Sequence, residues 1–418
     1  MLRRSGFCAR NKSSDRCVYK ATTFLNDIDS GEREEPDVEL VDEAHLLRMD
    51  TERFNYNKAS KKVKHPEETL GFHGNQLYYI LLRAKIVIAV FDPVQTMRRS
   101  QQWDEALVEH IVSSRQDAAD GHLSYNGKVE LHSNGNSTVG KDTFNSYHLE
   151  LSEQFRIDAG DEIIAWIDRL ADSDAIDMEP IPADSVWRDP PRGVHGKDPY
   201  DIRVYSSPCS LAAAIACRRS EMESRTREES QAGGKGKKQA AAPLCRMLAT
   251  YDWGFDKDAN AGYVELYAVE EKDGHLRWEM PAAGHAPDGY KDLPGRSFRA
   301  AWNYTYTKKG KQTWVGNEKA DQEVGSYFSV QGFDLNYAAV IIGPSIAMRD
   351  GKIVIDPTKS FDSDVKGPYA EQLILQQLKV LLRVASMGSI SLLSILNCRL
   401  LLRRVPQPPA GSIWMIER

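Results

Sequence analysis

Two continuous apolar runs stand out along a chain of otherwise mixed polarity. Residues 85–91 and 338–343 hold β-branched and other apolar side chains without the alternation of a half-exposed strand. Such runs are typical of strands that are buried on both faces of a parallel sheet. A helix-forming segment, residues 76–83, lies directly before the first run. Since helices that alternate with buried strands build α/β sheets, we predict an α/β fold.

The pattern divides the chain into two parts around a proline-rich stretch at 173–200. We predict that this stretch is a linker, because proline-rich segments form extended spacers. Residues 1–172 are then one α/β lobe and residues 201–382 a second one. Within the second lobe, residues 218–242 are charged and rich in Gly, Lys and Ala, and we predict a mobile insertion that builds no core.

Composition excludes several classes of protein. The 418 residues are 41% hydrophobic and 27% charged with a net charge of −6, so any nucleic-acid contact must come from a local basic groove. Six cysteines without a C-x-x-C pair indicate reduced thiols, and hence a cytoplasmic protein. The N-terminus has no apolar signal region, and the leucine-rich residues 392–402 are too few to span a membrane.

The strand predicted at residues 38–41 ends in Asp42-Glu43-Ala44-His45. An apolar strand with this ending is the Walker B signature of a nucleotide-hydrolysing motor. Asp42 is placed to hold Mg²⁺ through water and Glu43 to orient an attacking water. The alternative is a surface strand that ends in an acidic helix cap.

Two further polar residues follow predicted strands in the first lobe. Gln95 comes just after the run 85–91 and is expected beside Asp42, since ligands of α/β sheets lie at the carboxyl ends of strands. A glutamine there can hydrogen-bond a γ-phosphate or the attacking water. Arg156 follows a strand at 147–151, and its guanidinium can pair with phosphate oxygens. A turn at Gln95 and an ion pair at the start of a helix for Arg156 are the alternatives.

In the second lobe, Gln331 and Asp334 flank Gly332 just before the run 338–343. The glycine lets the backbone approach a ligand closely, and the two side chains supply polar contacts. A glycine-containing turn between strands is the alternative. A different segment, residues 135–142, matches G-x-x-x-x-G-K, but Asp142 stands where a Mg²⁺-binding hydroxyl belongs, so we predict no phosphate binding there.

The order of these motifs resembles superfamily 1 helicases, most closely the bacterial DNA/RNA helicase domain family related to the Schlafen group-three helicase domain. Residues 41–45 resemble motif II, 90–95 motif III, 151–156 motif IV and 325–344 motif V. The resemblance covers roughly residues 8–380. It implies a P-loop NTPase core of two RecA-like lobes, ATP and Mg²⁺ as cofactors, and DNA or RNA, expected to be single-stranded, as the partner.

The resemblance also implies a role for each motif residue. Asp42 would bind Mg²⁺ and nucleotide, and Glu43 would activate water. Gln95 would sense the γ-phosphate, and Arg156 would act as an arginine finger. Coupling between the nucleic-acid track and the nucleotide would fall to Gln331 and Asp334.

Two parts of the family pattern are missing from the places in the sequence where they are expected. Only 37 residues precede Val38, and they lack the G-x-x-x-x-G-K-[ST] loop expected before motif II, so the first lobe is expected to be incomplete. After Leu382, the arginine of motif VI is absent from its place. Shifted codons from Leu382 to Ser391 can spell Thr-Arg-Gly-Ile-His-Gly-Leu-Tyr-Leu. We therefore expect a frameshift near Leu382, an aberrant tail at 383–418, and a second lobe without its own final strand.

The sequence thus predicts a fragment of an ATP-dependent DNA/RNA helicase or translocase whose hydrolysis is impaired. One alternative is a non-functional gene fragment with exposed sheet edges. Another is a non-catalytic nucleic-acid-binding or regulatory module with interleaved aromatic and basic residues. Those residues are Trp302, Tyr304, Tyr306, Lys308, Lys309 and Lys311.

Overall fold

The computed structural model forms two compact units, Met1–Glu153 with Pro409–Arg418, and Gln154–Pro408. The residues it describes are 19–47, 76–81, 83–91, 122–125, 129–139, 142–151, 164–165, 167, 179–181, 186–188, 200–232, 242–272, 274, 276–281, 295–304, 313–349, 352–385, 390–394, 400–402 and 412–417. The boundary between the units follows Glu153, whereas the sequence predicts the first lobe to end at residue 172. Most of the predicted linker lies outside the described residues.

The described α-helices are α1 (Ala21–Asp29), α2 (Gln76–Leu81), α3 (Pro208–Ala232), α4 (Tyr327–Val330) and α5 (Ala370–Arg383). Short 3₁₀ turns lie at Ala44–Leu46, Glu318–Gln322 and Pro357–Lys359. The strands are β1 (Val38–Val41), β2 (Ile86–Phe91), β3 (His122–Tyr125), β4 (Val129–Val139), β5 (Asp142–Leu151), β6 (Glu179–Ile181), β7 (Val186–Arg188), β8 (Asp201–Val204), β9 (Cys245–Ala249), β10 (Phe255–Asp256), β11 (Ala261–Glu270), β12 (Leu276–Glu279), β13 (Ser297–Trp302), β14 (Glu323–Gly325), β15 (Tyr337–Ile342), β16 (Ile346–Arg349), β17 (Lys352–Ile355), β18 (Ile390–Ser394), β19 (Leu400–Leu402) and β20 (Ser412–Glu417).

The sheet of the first unit has the order β1-β2-β20-β5-β4-β3. Strands β1 and β2 are parallel, and the other neighbours in this sheet are antiparallel. The segment 135–142 falls on the β4–β5 hairpin, in which Val139 pairs with Asp142. A P-loop instead connects a strand to a helix, so this hairpin agrees with the prediction that the segment binds no phosphate.

The sheet of the second unit runs β10-β11-β13-β14-β9-β15-β18-β8-β7, with β12 paired to β11. From β13 to β8 all neighbouring strands are parallel, and antiparallel strands form both edges. The prediction of an α/β fold is confirmed in this form, a mixed α/β chain with a mostly parallel sheet.

Burial explains why β9 and β15 lie near the middle of that sheet. Every residue of both strands is buried, as expected for the apolar run at 338–343. Helix α3 contacts both strands, and its Leu211 and Ile215 join Met247, Ala339 and Ile341 in one apolar cluster. Helix α5 contacts β15 as well.

The segment predicted as a mobile insertion at 218–242 begins inside α3, which continues without a break to Ala232. Few residues between 218 and 232 disfavour helix, and the pairs Arg218–Glu221 and Glu223–Arg227 have the spacing that supports one, at 3.2 and 3.8 Å. Residues 233–241 lie outside the described part of the chain.

The predicted aberrant tail contributes strands to both units. Strand β18 lies between β15 and β8 and is parallel to both. The second lobe was expected to lack its own final strand, and in the structure a strand of the tail lies within the sheet. Strand β20 pairs with β2 and β5 in the first unit. Among the described helices, none combines the length and the apolar composition that a membrane crossing requires.

Candidate nucleotide and nucleic-acid site

The parallel pairing of β1 with β2 brings the carboxyl ends of the two strands to one edge of the first sheet. Val41 lies opposite Ala89, so the chain leaves both strands in the same direction. Asp42 follows β1 directly, and its side chain is exposed. Gln95 would follow β2 at the same edge, but it lies outside the described residues, as does Arg156. The parallel pairing of β1 with β2 agrees with a position of Gln95 near Asp42, and that position stays a prediction.

Glu43 forms a sharp bend immediately after Asp42. Its backbone is left-handed, with φ 56° and ψ 47°, a conformation that costs a non-glycine residue about 1–3 kcal/mol. Its Oε2 atom lies 3.1 Å from Nε2 of the buried His45. The Glu43 side chain makes no capping hydrogen bond to the 3₁₀ turn that follows, which argues against the alternative of an acidic helix cap.

A magnesium ion at this edge would depend on more than protein ligands. The described residues contain no group of three or more His, Cys, Asp or Glu side chains that could hold a metal. Mg²⁺ in nucleotide sites keeps several waters and needs only one or two carboxylates in addition to the phosphates. The exposed carboxylate of Asp42 fits that role.

In the second unit, Gln331 and Asp334 lie in the connection between α4 and β15. Helix α4 starts with a capping box, in which the Ser326 and Ser329 side chains bond each other's backbone N–H groups. Gly332 follows with φ 75°, a left-handed value that favours glycine. Gln331 is half-buried and Asp334 is exposed. Both predicted coupling residues therefore belong to one short turn.

Polar side chains join three loops at the carboxyl ends of parallel strands, and one of them, Asn303, belongs to none of the sequence motifs. Asn303, after β13, has φ 55° and is buried. Its Nδ2 donates to Oη of Tyr251 at 3.0 Å, and its Oδ1 accepts from Oγ of Ser326 at 2.7 Å. Tyr251 follows β9, and Ser326 follows β14. The general rule that ligands bind at the carboxyl ends of strands is the signal that could have found them.

A second polar connection joins the ends of β9 and β15. Oδ2 of Asp252 accepts from the Ser345 backbone N–H at 2.9 Å and from Oγ1 of Thr250 at 3.1 Å. Oγ1 of Thr250 in turn accepts from the Gly343 N–H at 2.8 Å. Burial raises the pKa of Asp252 to about 6, and the hydrogen bonds from Ser345 and Thr250 oppose that rise.

A third connection runs from motif V to α5. The hydroxyl of Tyr327, the first residue of α4, donates to Oδ2 of Asp362. Nε2 of Gln377 in α5 donates to the same oxygen at 2.9 Å. Because both Tyr327 and Asp362 are buried, these bonds fix the loop around Asp362 against α4.

The structure contradicts one residue of the proposed non-catalytic module. Trp302 is fully buried, and its indole N–H donates to the Trp253 carbonyl at 3.0 Å. Since its ring also packs against those of Tyr251 and Trp253, Trp302 belongs to the core and offers no face to a nucleobase. Tyr304 is half-buried, and the remaining members of that set lie outside the described residues.

A sequence model of the family described as "Schlafen group 3, DNA/RNA helicase domain" matches residues 3–390. The chain belongs to this family. The chain is also 25% identical over 340 residues to an uncharacterized protein of Saccharomyces cerevisiae, a match that covers 80% of the chain. The chain spans about half, 54%, of the length of that relative. No solved structure matches the chain significantly.

The family match confirms the resemblance at the level of Schlafen group 3. The narrower resemblance to a bacterial group stays a prediction. The match includes residues 383–390, the first part of the predicted aberrant tail, and the frameshift near Leu382 also stays a prediction.

Proposed function

We propose that this chain is the helicase domain of a cytoplasmic, ATP-dependent DNA/RNA helicase or translocase, with a single-stranded nucleic acid as its track. The observation that carries the proposal is the family match over residues 3–390. Two features of the structure support it. Asp42 and Glu43 lie at the carboxyl end of a strand with one parallel neighbour, in a sheet that is otherwise antiparallel. The sheet of the second unit is mostly parallel, the type expected in a RecA-like lobe.

Each motif residue has a role in this proposal. MgATP supplies the phosphoryl group whose transfer to water drives movement. Asp42 would bind the hydrated metal, and Glu43 would orient the attacking water, with His45 as the group that holds its carboxylate. Gln95 and Arg156 would contact the γ-phosphate. Gln331 and Asp334 would transmit the nucleotide state to the nucleic acid.

Hydrolysis by these 418 residues alone is proposed to be weak. They contain no G-x-x-x-x-G-K-[ST] loop, whose backbone N–H groups and lysine bind phosphates. No motif VI arginine follows Leu382 in the expected place. Loss of one such transition-state cation lowers phosphoryl-transfer rates by about 10³–10⁵-fold.

The test is the Mg²⁺-ATPase rate of the purified chain with and without single-stranded DNA or RNA, beside Glu43→Gln as the matched control. We expect salt-dependent nucleic-acid binding and a rate that nucleic acid does not raise above that of Glu43→Gln. Stimulated turnover that Glu43→Gln abolishes would refute the proposed impairment and support the motor itself. A chain that binds no nucleic acid at all would refute the proposed function.

A further inference from the structure

The loop between β17 and α5 presents two aromatic rings to solvent. Phe361 is 61% exposed and Tyr369 47% exposed, whereas most large apolar side chains of the described residues are buried. The exposed charged side chains of residues 357–369 are Lys359 and Lys366, and both are cationic. Asp362 is buried, and Asp356 and Asp364 are half-buried, so no fully exposed carboxylate lies in this loop.

Phe361 is held in its exposed position by the backbone on both sides. Its N–H donates to the Tyr251 carbonyl at 2.8 Å, and Oγ of Ser360 donates to the same oxygen at 3.4 Å. The next residue, Asp362, is buried beneath the hydroxyl of Tyr327 and the amide of Gln377. These hydrogen bonds fix the backbone on both sides of Phe361, and its ring is exposed as a result.

The Phe361 ring lies beside the backbone of Gly254. A Cβ atom built on Gly254 would lie 3.5 Å from Cε1 and 3.6 Å from Cδ1 of Phe361, an ordinary van der Waals contact with one edge of the ring. Since the ring is 61% exposed, it keeps a surface on which a flat group can stack.

The loop also lies against motif V. Tyr327 reaches Asp362 from α4, and Tyr251, whose carbonyl holds Phe361, packs edge-on against Phe328 with ring centroids 5.8 Å apart. The family resemblance assigns motif V the role of coupling nucleic-acid binding to the state of the nucleotide. A ligand on Phe361 would thus contact a loop that is hydrogen-bonded to that segment.

We propose that residues 357–369 form a contact site for single-stranded nucleic acid, in which Phe361 stacks on a nucleobase and Lys359 and Lys366 contact phosphates. The proposal rests on the proposed function, and it assigns the ligand to residues outside the motifs. Exposed aromatic rings beside lysines are the combination that binds single strands, because every base has a stacking face and every nucleotide a phosphate. Tyr369 offers a second ring in the same loop.

The first test compares the affinity of wild type and Phe361→Ala for oligo(dT) and oligo(U) at one salt concentration. We expect Phe361→Ala to bind about 5- to 150-fold more weakly, the range that follows from loss of one base–aromatic stack. Leu276→Ala is the matched control, because Leu276 is also an exposed large apolar residue of the second unit but lies in the β11–β12 hairpin. It should bind as wild type does.

The second test addresses the lysines through salt dependence. Lys359→Ala with Lys366→Ala should lower the slope of log affinity against log salt by about 0.7 for each lost phosphate contact. Lys272→Ala, an exposed lysine at the β11–β12 turn, should leave the slope unchanged.

An oligonucleotide with abasic sites separates stacking from phosphate contacts. Wild type should bind it about as weakly as Phe361→Ala binds the intact strand, and Phe361→Trp should keep affinity and show quenched fluorescence on binding. If wild type binds nucleic acid but neither Phe361→Ala nor the abasic strand changes affinity, this inference is overturned while the proposed function stands. If wild type binds no nucleic acid, both are overturned.

Discussion

Asp252 is an acid in a place that disfavours its charge. Its side chain is only 1% exposed, and burial raises its pKa from 3.8 to about 6. Oδ2 accepts two hydrogen bonds, whereas Oδ1 is buried and has no hydrogen-bond partner among the described residues. The protonated acid is therefore the better-tolerated form at this position.

The stability of the second unit should consequently depend on pH. The folded chain keeps a proton on Asp252 up to a higher pH than the unfolded chain does, so folding is favoured at low pH. This contribution is lost as the pH rises through about 6. A pKa shift of this size changes the free energy of unfolding by on the order of 3 kcal/mol between the protonated and the ionised form of Asp252. Asp252→Asn should therefore gain stability relative to wild type as the pH is raised from about 4 to about 7.

Urea denaturation of both proteins across that pH range measures the difference. Asp258→Asn, at an exposed aspartate of the β10–β11 turn, serves as the control and should follow wild type. A constant difference between wild type and Asp252→Asn at all pH values would contradict the prediction.

The close approach of the Asp252 side chain requires a glycine at position 343. A Cβ atom at this position would lie 2.3 Å from Oδ2 of Asp252, closer than any real contact. Gly343→Ala should thus destabilise the chain by about 3 kcal/mol, the upper part of the usual range for overpacking. Gly332→Ala, where no atom lies within 4 Å and only the left-handed backbone resists, should cost about 1 kcal/mol. Equal losses in denaturation midpoints would show that the close contact does not decide the effect.

At the scale of elements, Asp321 joins α3 to the central sheet. Its Oδ1 atom lies 2.5 Å from Nη1 of Arg246 in β9 and 3.1 Å from Nη1 of Arg219 in α3. The Arg246 side chain is only 5% exposed, and Nε and Nη2 of its guanidinium also donate to the Val315 carbonyl. The buried cation needs the carboxylate more than the half-buried Arg219 does.

Asp321→Asn should therefore destabilise the chain by about 2–3 kcal/mol, because it leaves the Arg246 charge buried without a counterion. Arg219→Ala removes only a partly exposed ion pair, so its loss should stay below about 1 kcal/mol. Thermal or urea unfolding of the two variants gives the comparison. A larger loss for Arg219→Ala would mean that the helix contact, and not the buried cation, carries the stability.

The elements that could be predicted are those with a local signal. The runs 85–91 and 338–343 gave β2 and β15 to within a residue, since buried parallel strands contain continuous apolar sequence. Helix α3 was not predicted, and its second half was assigned to a mobile insertion because its charged residues resemble those of a loop. Only its helix propensity and its spaced ion pairs indicate a helix.

The residues of the candidate site also divide into those with a local sequence signal and those without one. Asp42 and Glu43 follow from a contiguous motif. The bonds from Asn303 to Tyr251 and Ser326 could not be predicted, since these residues lie 52 and 23 positions apart and only the order of the strands brings them together. The buried state of Trp302 was also missed, because an aromatic residue beside lysines has the same sequence pattern whether it packs inward or outward.

At the scale of the whole molecule, the chain returns to its first unit at the end. Strand β20 separates β2 from β5, so the first sheet is continuous only if residues 412–417 take part in it. Met415 lies opposite Ile88 on one side and Tyr147 on the other. This pairing gives the tail a structural role that an unselected sequence would not need.

Met415→Pro should therefore weaken the first unit, because proline cannot donate a ladder hydrogen bond in the middle of a sheet. Met415→Ala removes the same side chain and keeps the backbone N–H, so it is the matched control. Hydrogen exchange of β2 is expected to accelerate in Met415→Pro and to change little in Met415→Ala. Equal protection in both variants would mean that the tail does not pair with β2, as the predicted frameshift would suggest.

The division of the chain also sets how its parts can be obtained separately. The second unit is a single uninterrupted stretch, residues 154–408, whereas the first is made of two pieces that flank it. Residues 154–408 can thus be expressed as one polypeptide, while the first unit requires a genetic fusion of residues 1–153 to 409–418. By the same topology, a protease that cuts once near residue 153 leaves the second unit covalently joined to strand β20 of the first, so residues 1–153 are then held only by the pairing of β20 with β2 and β5. A second cut near residue 408 frees the second unit from this link.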